Sequence, residues 1–271
     1  MLFLFDFKPG FPLQSSPLVN CITNQISIEM IANSLLYVGA KPIMAAHIDE
    51  QDEVIQAVDA LFINLARLPH NEATHLVHAA KRANSHKKRV VVDLVGYGVS
   101  QFRNSIGDAL VDLKPAVVKG NMSEMRAFCK LKSHGRGVDA GEEDMKSDRL
   151  EELIDALKDK TRTYENTVFL ATGPVDIIVS KNHVVKLSNG VEYNGQFTGT
   201  GDTVGALVAA NLGSGLHPVD ACINGVSYFN ICGEVAAEKS RGLNEFRFHL
   251  LNELSLLKDT DWTKEVKGEY V

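Results

Sequence analysis

The sequence predicts an α/β fold, a three-layer αβα sandwich around a mostly parallel central sheet. Three observations predict it. Short apolar runs such as Leu61-Phe62-Ile63 and Val90-Val91-Val92 carry no polar alternation, as strands buried on both faces do. Segments of helical period separate those runs, the order that builds parallel sheets covered by helices. After Asp202 the chain reads as helix almost to its end, so helices are expected to close the fold.

Taken in order, strands are predicted over 17–22, 60–64, 90–93, 116–119, 167–172 and 176–180. Between them, Ile28, Ile31, Ala32, Leu35 and Leu36 recur with helical period, and Gly39 follows as a stop. Asn71 is placed to cap a helix running to about Ser85. Ser123 starts a helix toward Cys129, and Leu150, Leu153, Ile154 and Leu157 mark another. The closing helices are predicted over 202–212, 218–240 (with Pro218 in the first turn) and 244–257. The Gly- and acid-rich stretch 135–148 reads as a loop, because strand signals resume after it; one domain over 1–271 is expected.

Composition narrows the function. At 271 residues, 45% hydrophobic and 23% charged, the chain is ordinary for a globular protein with a sizeable core. Its net charge of −6 argues against nucleic-acid partners, and the short basic run His86-Lys87-Lys88-Arg89 reads as a solvated strand entrance. Cys21, Cys129, Cys222 and Cys232 show no metal-binding spacing and read as reduced thiols of a cytoplasmic protein. Residues 2–7 are apolar around Asp6, too short for a signal or a membrane span, and are expected to pack on their own or a neighbouring subunit. The nine His lack HExxH spacing, and no GxxxxGK[ST] motif occurs.

The chemistry concentrates in Thr198-Gly199-Thr200-Gly201-Asp202-Thr203. Gly199 and Gly201 let backbone amides turn toward an anion, and the helix that follows points its positive end there. Asp202 adds a carboxylate able to take a hydroxyl proton. Alone, such a loop is equally at home as a plain turn with an Asp cap.

Other polar residues fall at predicted strand ends, where open α/β sheets bind ligands: Asn24, Asn64, Asp93, Lys119-Gly120-Asn121 with Glu124, and Thr172-Gly173. Asp93 and Glu124 are hard oxygen donors suited to Mg²⁺, though each singly is also an ordinary strand-end or helix-start carboxylate. Lys119 offers a cation for nucleotide phosphate and Thr172 a hydroxyl for the same groups; a solvated lysine and a turn hydroxyl are the plain alternatives. Together they supply base, anion cradle, metal carboxylates and cation, the parts of a kinase working by positioning and electrostatics.

These motifs recur in a familiar order. Pro17-Leu18-Val19-Asn20-Cys21-Ile22-Thr23-Asn24, Gly39-Ala40-Lys41-Pro42-Ile43-Met44, Val118-Lys119-Gly120-Asn121 with Glu124, Gly137-Val138-Asp139-Ala140, Ala171-Thr172-Gly173 with Asp176, and 198–202 resemble hydroxyethylthiazole kinase, a thiamine-salvage family of the ribokinase-like superfamily. The resemblance covers about residues 17–257 and implies a ribokinase-like fold. It implies ATP- and Mg²⁺-dependent phosphorylation of a thiazole primary alcohol by a homotrimer with sites between subunits. By position, Asn24, Met44 and Gly199 would line the thiazole pocket. Lys119, Thr172 and Asn121 would serve the nucleotide, and Asp93 and Glu124 would organise Mg²⁺. Gly199, Thr200 and Gly201 would hold the transferring phosphoryl group beside the base Asp202.

The chain departs from the family pattern at four places. Asp202 stands where many members have Cys, and a carboxylate is the better proton acceptor at neutral pH. Asp93-Leu94-Val95-Gly96 replaces Asp-Pro-Val-Gly. Lys119 replaces Arg, turning a bidentate clamp into a point charge. Ala66-Arg67 replaces Gly-Thr near the expected acceptor site. Competing readings are a dehydratase of hydrated nicotinamide nucleotides from the same superfamily, a nucleotide-binding protein without turnover, and a kinase of another alcohol such as hydroxymethylpyrimidine.

Overall fold

The computed structural model describes residues 5–66, 72–133 and 147–271. Arg67, the proposed cap Asn71, the Gly137-Val138-Asp139-Ala140 motif and most of the expected loop 135–148 lie outside the described residues, as do residues 2–4.

Among the described residues, nine strands form one sheet. They are β1 (Leu18–Ile22), β2 (Lys41–Ile43), β3 (Ala60–Asn64), β4 (Arg89–Asp93), β5 (Val117–Asn121), β6 (Val168–Thr172), β7 (Asp176–Val179), β8 (Val184–Leu187) and β9 (Gly268–Tyr270). The order is β2-β1-β3-β4-β5-β6-β7-β8-β9. The first six strands pair in parallel, and β7, β8 and β9 add an antiparallel edge. The helices are α1 (Ile28–Tyr37), α2 (Gln51–Ala57), α3 (Glu72–Ser85), α4 (Gln101–Val111), α5 (Met122–Phe128), α6 (Ser147–Thr163), α7 (Thr200–Gly213), α8 (Pro218–Glu238) and α9 (Leu243–Leu256). One expectation is corrected: helices do not close the chain, because β9 follows α9 and pairs with β8.

The sandwich is visible in how successive strand residues divide. Ala60 and Phe62 of β3 face a core built with α1, α7, α8 and α9. Leu61 and Ile63 face a second core built with α2, α3, α4, α5 and α6. Alternation along a strand sends neighbours to opposite faces, so an unbroken apolar run feeds two cores at once. Helix α7 lies centrally, with every residue from Thr203 to Leu212 buried. A Cβ on Gly205 would meet the Phe62 ring at 2.5 Å, so glycine permits the close approach of α7 to the sheet.

The amino-terminal segment packs on its own subunit. Phe11 lies 4.3 Å from the Tyr228 ring, and Trp262 Nε1 donates to the Phe11 carbonyl at 3.0 Å. Phe5 stacks near Tyr270 and Phe7 near Trp262. Asn224 secures the strap by accepting from Gly10 N at 2.6 Å and donating to the Lys8 carbonyl at 2.8 Å.

Candidate active site

Because β1 and β3 to β6 run parallel, their carboxyl ends share one edge of the sheet. Asn64, Asp93 and Lys119 are successive partners across β3, β4 and β5, and Asn121 pairs with Thr172 across β5 and β6. Five predicted strand ends therefore reach one place, the usual ligand position of this architecture.

Gly199 caps α7 in the left-handed region at φ 103°, and Thr203 Oγ1 donates to the Gly199 carbonyl at 2.9 Å. A Cβ at Gly199 would fall 3.1 Å from Met30 Sδ and 3.3 Å from Ser27 Cβ, so the loop rests directly on the start of α1. The helix begins at Thr200, two residues earlier than its sequence pattern suggests. Asp202 consequently sits inside the first turn and does not cap it. Its Oδ2 accepts from Asn24 Nδ2 at 3.1 Å.

Lys119 reaches the same loop, since a Cβ on Gly201 would lie 3.6 Å from Lys119 Nζ. The ammonium donates to Asp93 Oδ2 at 2.8 Å, and both side chains are sealed from water, at 3% and 0% exposure. Burial alone would lower the Lys119 ammonium, but Asp93, with Glu124 and Asp202 adding to it, holds it above the ordinary lysine value. Burial pushes the Asp93 carboxyl up to about 6; Lys119 pulls it back and Asp202 adds to the rise. Asp93 Oδ1 is buried with no hydrogen-bond partner among the described residues.

Glu124 closes the other side. Asn121 and Glu124 form a capping box at the start of α5, with Asn121 Oδ1 accepting from Glu124 N at 2.9 Å and Glu124 Oε2 from Asn121 N at 2.7 Å. Glu124 Oε1 accepts from Gly96 N at 2.7 Å, which joins the β4 and β5 loops. Burial, then the Asp93 charge, raise the Glu124 carboxyl to about 7 against those two amides. The helix start is thus set by Asn121 rather than Ser123, and the Asn121 amide oxygen is occupied by its cap.

Thr172 ends β6 with its hydroxyl 3.5 Å from the Gly120 carbonyl, a marginal contact that leaves it available to a ligand. Met44 follows β2 and packs against the α1–α7–α8 core. Asn20 holds that segment to β1, donating to the Ala45 carbonyl at 3.0 Å and accepting from Ala45 N at 3.1 Å. The structure therefore joins Asn24 with Asp202, Lys119 with Asp93 and Gly201, and Glu124 with Asn121 and Gly96. It places Met44 on the apolar core rather than in the polar cluster.

Two supports have no role that the sequence reveals. Asp176 is buried beneath the Thr172-Gly173 turn, where Oδ1 accepts from Gly173 N at 3.0 Å and Oδ2 from Asn230 Nδ2 at 2.9 Å. Burial raises its carboxyl to about 7 against those two donors and Lys119. Arg103 of α4 donates to the carbonyls of Leu65, Ala66 and Val95, fastening the β3 and β4 loops together.

The hydroxyethylthiazole kinase family profile matches residues 13–260. The chain belongs to the hydroxyethylthiazole kinase family. It is 52% identical over 263 residues to the hydroxyethylthiazole kinase of Enterococcus faecalis, covering 97% of each chain. It is 48% identical to that of Lacticaseibacillus casei, covering 99% of this chain and 97% of the other. Among solved structures, the hydroxyethylthiazole kinase protein of Pyrococcus horikoshii matches with a TM-score of 0.84 at 29% identity, covering 94% of each. Bacillus subtilis pyridoxal kinase, at TM-score 0.59 and 15% identity over 81% of this chain and 92% of the other, shares the fold. That likeness makes the architecture ribokinase-like. Among the described residues no helix is long and apolar enough to cross a membrane.

Proposed function

We propose that this chain transfers the γ-phosphoryl group of ATP to the primary alcohol of 4-methyl-5-(2-hydroxyethyl)thiazole. The observation that carries the reading is the convergence of Asp202, the Gly199–Gly201 turn at the start of α7 and the Lys119 ammonium. The acceptor oxygen attacks the γ-phosphorus, the bond to the β,γ-bridging oxygen breaks, and ADP leaves. The hydroxyl proton passes to Asp202. Backbone amides of Gly199, Thr200 and Gly201 hold the charge spread over the transferring group. Lys119 neutralises phosphate oxygens as a buried point charge, and Thr172 donates its hydroxyl to the nucleotide phosphates. Asn24 and Met44 belong to the acceptor side, and Asn121 positions Glu124.

The carboxylates fit Mg²⁺. Among the described residues Asp93 Oδ1 is a buried hard oxygen without a partner, and the Asp93 and Glu124 carboxyls, raised chiefly by burial, are held in their charged form by a cation beside them. Glu124 has a backbone amide on each oxygen, which suits contact through water. Among the described residues no cluster of three or more His, Cys, Asp or Glu encloses a metal by itself, which suits an ion shared with nucleotide phosphates. Bound there, Mg²⁺ supplies neutralisation of the phosphate charge.

The same reading makes the chain a cytoplasmic homotrimer with sites between subunits. Four free cysteines support the compartment, and Ile26, 79% exposed two residues beyond Asn24, supports the assembly. The mechanistic test is Asp202→Asn. Turnover falls by about a hundredfold or more while the nucleotide dissociation constant holds. Full turnover in that variant removes Asp202 as the base.

A further inference from the structure

Asn24 has more to do than line an acceptor pocket. Its side chain is buried, and its orientation follows from its partners. Oδ1 accepts from Ile26 N at 2.9 Å and from Ser27 N at 3.1 Å, the pattern of an Asx turn leading into α1. Both of those donors are backbone amides, so the atom facing them is the oxygen, and Nδ2 must point the other way. There it donates to Ser27 Oγ at 2.9 Å and to Asp202 Oδ2 at 3.1 Å. The two residues are 178 positions apart, and the packing of Gly199 on Ser27 and Met30 brings their segments together independently of this bond.

We propose that Asn24 is a positioning residue for the general base: its amide N–H holds one carboxylate oxygen of Asp202 and so presents the other to the acceptor hydroxyl. A carboxylate at the first turn of a helix rotates freely about its last bond unless one oxygen is held. An amide donor anchored by two backbone bonds holds it at little entropic cost. The inference rests on Asp202 acting as base.

Asn24→Asp is the discriminating variant. Its carboxylate keeps an oxygen acceptor for Ile26 N and Ser27 N, so the turn is preserved, while the donor facing Asp202 becomes a second negative oxygen. Steady-state kinetics with the thiazole alcohol and ATP are compared for wild type, Asn24→Asp and Asp202→Asn. The expected result is a fall in kcat of about tenfold or more in Asn24→Asp, with the acceptor KM moving by about twofold or less. Unchanged kcat with a raised acceptor KM overturns the proposal and leaves Asn24 as a pocket wall. Asn24→Ser keeps a turn-forming oxygen but falls short of Asp202. It is measured alongside, and its kcat decides the matter in the same sense if Asn24→Asp does not fold. Asp202→Asn separates the two readings. If it turns over like wild type, the base assignment itself fails; if it is inactive while both Asn24 variants keep wild-type kcat, the positioning role alone fails.

Discussion

Replacing Lys119 with Met strands a carboxylate inside the protein. Lys119 and Asp93 meet at 2.8 Å with neither reaching water, and the Asp93 carboxyl already titrates at about 6 with the ammonium beside it. An aspartate that titrates at about 3.9 unfolded and about 6 folded makes the folded chain bind a proton between those values. Stability therefore falls as pH rises across that window, by roughly 3 kcal/mol, and then levels. Without Lys119 the remaining influences, burial and the Asp202 charge, both push upward, so the fall continues beyond pH 6. Between about pH 6 and pH 8 the variant loses up to roughly 3 kcal/mol that the wild type does not, at about 1.4 kcal/mol per pH unit. Urea unfolding followed by Trp262 fluorescence, with a chelator present, measures this directly. The double variant Asp93→Asn/Lys119→Met removes the stranded charge, so between pH 6 and pH 8 its stability runs parallel to that of the wild type. An identical change in stability from pH 6 to pH 8 in wild type and Lys119→Met would refute the buried-pair reasoning.

Three further outcomes are expected. Gly199→Ala forces a side chain into a left-handed position against Met30 and Ser27, costing about 1–2 kcal/mol in denaturant unfolding and a larger fraction of turnover. Asp176→Asn removes a carboxyl whose folded value is raised to about 7, so it abolishes a loss of stability with rising pH, between about pH 4 and pH 7, that reaches roughly 4 kcal/mol; parallel wild-type and variant curves over that range would contradict it. Phe11→Ala opens a void against Tyr228 and Trp262, costing about 3–5 kcal/mol and shifting the emission of the only tryptophan.

The central strands were legible because each is short, apolar and buried on both faces; 60–64 is predicted and observed with the same ends. β2, β8 and β9 escaped the pattern; β8 is a short, mostly buried strand paired on both sides, and the other two are marginal in the sheet. β2 is three residues with Pro42 at its centre, and β9 pairs only at the antiparallel edge. Helix α4 went unread although Phe102, Ile106 and Leu110 recur at helical spacing, because polar residues and Gly107 interrupt the run and its cap Ser100 follows a glycine-bearing loop. Helix α2 spans only seven residues, too few for a period to stand out. In the site, the glycine turn and the strand-end residues were readable because local chemistry and strand position mark them. The links between them were not. Asn24 meets Asp202 and Asn230 meets Asp176 across separate layers, and nothing near either residue in the chain encodes the partner.

The most direct measurement offers the protein ATP, Mg²⁺ and an equimolar mixture of the hydroxyethylthiazole and a hydroxymethylpyrimidine, and follows the products by mass. Phosphorylated thiazole is expected as the dominant product, formed with release of ADP and lost in Asp202→Asn. Phosphorylated pyrimidine alone, or bound nucleotide with no phosphorylated alcohol, would contradict it.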